Sequence, residues 1–155
     1  IEPTQKIRKL GIKLKHNPNK ELIKGKKVIL IDDSIVRGTT AIKIIEMIKE
    51  AKASEIHMKI SSPPIKYPDY YGIDTPRKEE LIASNLSVDQ IKEKLGLDSL
   101  KFLSIKGLYN AMGHENRNNK DPQYTDHCFT GDYPTELIDR DSGNLSSQLS
   151  LLNDN

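Results

Sequence analysis

A chain of 155 residues suits one domain with its own core, and its 35% hydrophobic against 30% charged residues predict that part of it is irregular. No apolar run approaches the roughly 20 residues of a membrane span, and the single cysteine, Cys128, excludes an intramolecular disulfide framework. A cytoplasmic protein without a membrane partner is the expectation. The net charge of +2 is uneven: residues 1–27 hold nine Lys or Arg against two Glu, the remainder 15 basic against 20 acidic residues. A basic opening segment beside an acidic pair predicts a polyanionic ligand held partly by lysines and partly through a metal; on charge alone, a solvated basic surface explains it as well. The opening on Ile1, with no methionine and no leader, reads as a piece of a longer protein.

Residues 1–25 are basic and punctuated by Gly11, Pro18 and Gly25, which predicts loop with a short helix at Thr4 to Leu10. Lys27 to Ile31 is a continuous aliphatic run, the pattern of a parallel strand buried on both faces. Thr40 to Ala53 places Ile42, Ile44, Ile45, Met47 and Ile48 at helical spacing behind Gly38 and a threonine cap. Ile56 to Ile60 alternates as a second strand, and "SSPP" ends it. Strand, helix and strand imply a parallel sheet with a right-handed crossover. The aromatic segment "KYPDYYGIDTP", residues 66–76, reads as loop and Lys78 to Ser84 as helix. Ser87 and Gln90 form a capping box for a helix from Val88 to Leu95, closed by Gly96. Leu100 to Leu103 is a third strand, and Ser104 caps a helix reaching Met112 before Gly113. From His114 the pattern becomes aperiodic. "CFTGDYPTEL" is expected to pack back onto the domain, and the end to fray. The predicted division is 1–113 for the domain portion, 114–140 for a C-terminal extension and 141–155 for a disordered tail.

"VILIDDSIVRGTT", residues 28–40, carries the chemistry. Ligands of an open parallel sheet bind beyond the carboxyl ends of the strands, where Asp32 and Asp33 stand. The helix that follows presents unpaired N–H groups and a partial positive charge, which suit a phosphate. Gly38 lets the backbone curl closely around it, and Thr39 and Thr40 add hydroxyl donors. The carboxylates can accept from sugar hydroxyls or hold hydrated Mg2+ that bridges to phosphate. Each half alone reads as a charged loop or a helix cap; their order and adjacency behind a buried strand predict one turn that grips a sugar phosphate. The candidate substrate-binding set is Asp32, Asp33, Ser34, Ile35, Val36, Arg37, Gly38, Thr39 and Thr40, with Asp32 and Asp33 as metal ligands. A receiver-like signalling domain uses the same acidic pair, with Asp74 as its acceptor. It has no use for "RGTT", and "KFLSIKGL" lacks the lysine–proline pair such a domain places at its last strand. His16, His57, His114 and His127 are scattered and read as surface or packing residues.

The motif resembles the phosphoribosyl-pyrophosphate motif of type I phosphoribosyltransferases. With "IEPTQKIRKLGIKLKHNP", "SSPPIKYPDYYGIDTP" and "CFTGDYPTEL", residues 1 to about 140 resemble the amidophosphoribosyltransferase family. The resemblance implies an α/β fold, an open parallel sheet with flanking helices, present here as the C-terminal portion of that domain. It implies transfer of ammonia, released from glutamine, onto phosphoribosyl pyrophosphate to give phosphoribosylamine, the first step of purine synthesis. Partners implied are phosphoribosyl pyrophosphate, purine nucleotides as feedback inhibitors, a glutaminase domain in the parent chain, and further copies in a homo-oligomer, with no nucleic acid. Arg8 and Lys15 match a segment near the pyrophosphate and are the candidate catalytic residues. Some members hold an iron–sulfur cluster through a C-x-x-C pair before the "TG-YP" segment. Here "TDHC" keeps only Cys128, with Thr125 at the first position, so no cluster is expected. A non-catalytic phosphoribosyl or nucleotide binder is the alternative of a different class.

Overall fold

The computed structural model describes residues 18–73, 75 and 77–137. The expected helix from Thr4 to Leu10, the tail 141–155 and Asp74 lie outside the described residues. In chain order the elements are α1 (Lys20–Ile23), β1 (Lys27–Asp32), α2 (Thr39–Glu50), β2 (Glu55–Ile60), a 3-10 turn (Lys78–Glu80), α3 (Ile82–Asn85), α4 (Val88–Leu95), β3 (Ser99–Phe102), α5 (Ile105–Ala111) and α6 (His127–Thr130).

The strands form one parallel sheet in the order β1-β2-β3, as expected of strands separated by helices. Val28 pairs with Ile56, Leu30 with Met58, and Met58 in turn with Leu100. This alternate set of side chains meets Ala41, Ile45 and Ile48 of α2 and Ile91 and Leu95 of α4 in the core. Met58 and Ile91 are almost wholly buried, and burial of such a side chain contributes about 2 kcal/mol.

The expected burial of β1 on both faces is met on one face by the described residues of this segment, and the opposite face is open. Ile29 is 61% and Ile31 76% exposed, because the described helices α2 and α4 both pack on the other face. Towards β2 and β3 that face is polar: Lys27 pairs with Glu55 at 2.7 Å, and His57 bridges Glu55 and Ser99 at 3.0 and 2.8 Å.

The capping box at Ser87 and Gln90 and the cap at Ser104 form as the sequence predicts. The expected helix from Lys78 to Ser84 is instead broken at Leu81, whose backbone is extended and whose side chain is fully buried. Ile82 then donates its amide to Val36 O at 2.9 Å, a contact a continuous helix would forbid. The residues after His114 do pack back, through α6, which composition alone does not reveal.

Candidate functional site

β1 ends at Asp32, whose carbonyl accepts from the Ser61 amide at 2.9 Å, and this bond fixes the exit of the strand. Asp33 follows in the open. Among the described residues, the hydrogen bonds to these two carboxylates are local: the Asp33 amide donates to Asp32 Oδ1 at 3.0 Å, and Ser34 Oγ to Asp33 Oδ1 at 3.2 Å. Like charges side by side, with no cation paired to them among the described residues, leave the acceptor oxygens available to an outside donor or ion.

The turn is then anchored from below. Ile35 drops into the core at 3% exposure, and Val36 O takes the Ile82 amide. Gly38 adopts φ +78°, a left-handed conformation that favours glycine, and a Cβ there would stand 3.0 Å from Ile82 Cδ1. The expected threonine cap is corrected: Gly38 itself is the N-cap, with no side-chain acceptor, and Thr39 and Thr40 form the first turn of α2. The first amides of α2 are therefore not occupied by a capping side chain, which leaves them to an external anion. Residues Asp32 to Ala41 enclose a cleft of about 300 Å3. All nine sequence-predicted residues from Asp32 to Thr40 line it. Arg8 and Lys15 lie outside the described residues. Two neighbouring carboxylates supply hard oxygen ligands of the kind Mg2+ takes when it keeps its waters and shares substrate oxygens, so the donor set fits that ion.

Sequence reasoning missed the supports around the turn. Arg37 Nε donates to Glu80 Oε2 at 2.7 Å across a separation of 43 residues. Further out, α6 and the loop at 66–73 interlock. His127 Nε2 lies 2.7 Å from Asp69 Oδ2, both side chains at most 5% exposed, and Tyr133 stacks on the imidazole. Lys66 and Tyr67 donate their amides to Cys128 O, and Tyr133 donates its hydroxyl to Pro68 O. Arg117 reaches Asp126 at 2.6 Å and 3.0 Å, with the Tyr109 hydroxyl donating to the same carboxylate. Burial pushes the Asp126 carboxyl up, but Arg117 and Tyr109 outweigh it and hold the group below the usual carboxylate range. Asp69 behaves alike: burial raises it, and the amides of Ile73 and Tyr71 with His127 bring it below. Burial pushes the Cys128 thiol up. No local periodicity announces these pairs, because most of them join segments far apart in the chain, and Arg117 and Asp126, nine residues apart, are joined across an aperiodic loop. The aromatic clustering of "YPDYY" and the Tyr in "GDYP" are the signals that could have found them.

A strand ending in paired acids, a left-handed glycine and an uncapped helix start make the fold that of a phosphoribosyltransferase. The family model described as phosphoribosyl transferase domain matches residues 3–62, which include β1, the turn, α2 and β2. The chain is 54% identical to amidophosphoribosyltransferase of Rhizobium etli over its whole length, covering 32% of that protein. It is 49% identical to amidophosphoribosyltransferase 2, chloroplastic, of Arabidopsis thaliana, with 88% of this chain and 23% of that one matched. Among solved structures it superposes on glutamine phosphoribosylpyrophosphate amidotransferase from B. subtilis complexed with ADP and GMP. That match has a TM-score of 0.75 at 46% identity and covers 90% of this chain and 30% of the other. The chain is thus a homologue of one segment of the amidophosphoribosyltransferases, and it spans about a third or less of the length of these relatives. The receiver-like reading is set aside with this. Among the described residues no helix is long and apolar enough to cross a membrane.

Proposed function

We propose that this segment carries the part of an amidophosphoribosyltransferase active site that grips the ribose and its 5′-phosphate. The observation behind this is the cleft in which Asp32 and Asp33 stand at one end and the uncapped start of α2 at the other. Ser34 to Thr40 supply backbone amides and hydroxyls to the phosphate, and Ile35 and Val36 tie the turn to the core. The carboxylates of Asp32 and Asp33 accept from the ribose hydroxyls and would hold Mg2+. When bound, that ion supplies positive charge to the pyrophosphate oxygens. In the reaction ammonia adds to the anomeric carbon, the bond to pyrophosphate breaks with its electron pair, and the amine loses a proton to give phosphoribosylamine. Positive charge develops on the ribose and negative charge on the leaving group, so positioning and charge stabilisation carry the rate. Arg8 and Lys15 are proposed to neutralise the departing pyrophosphate.

The glutaminase nucleophile, a glutaminase domain in the parent chain, homo-oligomer contacts and inhibition by purine nucleotides belong to the intact protein in this reading. That the B. subtilis structure holds ADP and GMP supports the last of these. Thr125 stands where the C-x-x-C pair of cluster-bearing members has its first cysteine, so no iron–sulfur cluster is proposed. On its own, the segment is proposed to bind a phosphoribosyl group without turning it over. The division 1–113, 114–140 and 141–155 is kept as a proposal.

Changing both Asp32 and Asp33 to Asn in the intact protein tests the assignment. Turnover should fall at least about 100-fold, as expected for lost charge stabilisation in a transition state, with the melting temperature little changed because both side chains are solvent-accessible. Near-normal turnover in a folded double variant would reject it.

A further inference from the structure

The ion pair between Arg37 and Glu80 has a place in the fold that stability does not explain. Both side chains are about half exposed, 49% and 48%, and such pairs hold a fold together weakly. Yet both partners stand on rigid ground. Arg37 is fixed by its neighbours, since Val36 O takes the Ile82 amide and Gly38 presses against Ile82. Glu80 closes a 3-10 turn in which its amide donates to Arg77 O at 2.8 Å. Asn85 Nδ2 braces that turn from the far side, donating to Glu79 O and Leu81 O at 2.8 and 3.0 Å. Leu81, next in the chain, is fully buried. At its start, Lys78 Nζ lies 5.4 Å from the centre of the Tyr67 ring, and Gly131 presses on that ring so closely that a Cβ would meet it at 2.8 Å.

We propose that Glu80 is a positioning residue for the phosphate turn: by holding Arg37 through Nε, it presents the two outer guanidinium nitrogens to an anion in the cleft. This rests on the reading of residues 32–40 as a phosphoribosyl site. A guanidinium has five N–H donors in a planar fork, and the contact to Glu80 occupies only Nε. An arginine on a loop loses rotamer freedom when it binds, and one already held loses less. Glu80 also repels an incoming phosphate. That repulsion acts over a longer distance and through solvent, where water and salt screen it, whereas the 2.7 Å bond persists, so positioning prevails.

The experiment is a double-mutant cycle in the intact protein, titrated with ribose 5-phosphate and assayed with phosphoribosyl pyrophosphate. Glu80→Gln should weaken ribose 5-phosphate binding about fivefold and raise KM more than it lowers kcat, with an unchanged melting temperature. Arg37→Met should weaken binding further, and adding Glu80→Gln to it should change nothing more. If Arg37→Met weakens binding while Glu80→Gln leaves it unchanged or tightens it, the positioning role fails and the phosphoribosyl reading stands. If Arg37→Met and the Asp32 and Asp33 variants all bind ribose 5-phosphate as the parent does, the phosphoribosyl reading fails and the role of Glu80 falls with it.

Discussion

Two regions of this molecule are built on aspartates, and they use them in opposite ways. In the clasp between α6 and the loop at 66–73, Asp69 and Asp126 are buried and each is held by a cationic or imidazole partner plus further donors. In the turn after β1, Asp32 and Asp33 reach solvent and accept, among the described residues, only local bonds from the next residue along. A carboxylate whose oxygens are already satisfied inside the chain stabilises structure. One with unused oxygens beside an uncapped helix is available to a ligand. The same residue type thus divides, among the described residues, into carboxylates satisfied inside the chain and carboxylates left open to an outside partner.

Substitutions that separate the two classes test this division. Arg117→Met leaves Asp126 buried without its cation, which costs about 3 kcal/mol, or about a 100-fold rise in hydrogen exchange for the amides of residues 127–135. Ribose 5-phosphate affinity should move far less, and a comparable loss of affinity would merge the two regions into one. Gly38→Val has the reverse signature. A β-branched residue at φ +78° with a Cβ against Ile82 strains the turn by about 1–3 kcal/mol. The expected result is at least about tenfold weaker ribose 5-phosphate binding with exchange at 127–135 unaltered. Unchanged binding would reduce the turn to a helix cap.

Acid should act on the clasp through its carboxyls. Asp69 and Asp126 are depressed in the fold, so the unfolded segment binds more protons than the folded one at acid pH. Their contribution is fully present above the unfolded carboxyl value near 3.9 and is lost as pH falls through the folded values. Protection of the 127–135 amides, corrected for intrinsic exchange, should therefore hold from about pH 5 upward and fall below about pH 4. Asp69→Asn should flatten that fall, and an identical acid profile in the variant would remove Asp69 from the clasp. The smallest effect belongs to Ser87→Ala, which removes one half of a capping box whose hydrogen bonds stay within the start of α4. About 1 kcal/mol of local stability should go, seen as faster exchange in α4, with ligand binding and clasp protection both intact.

The elements themselves were legible wherever the signal is local. The strand at 27–32, the capping box at Ser87 and Gln90, the Ser104 cap and the acidic pair followed by a glycine turn depend on residues within a few positions of one another, so they can be read in one dimension. The sequence by itself singled out the stretch after the first strand, and Asp32 to Thr40 do come together around one cleft. Only the tertiary structure decided three other matters. Leu81 breaks an apparent helix because its side chain and the next amide find better partners in the core and at Val36. Ile29 and Ile31 are apolar yet exposed, because the described helices pack on one face of the sheet. Glu80 meets Arg37, and Asp69 meets His127, across 43 and 58 residues. Pairings over such distances are set by how the segments pack in three dimensions, and no periodicity along the chain encodes them.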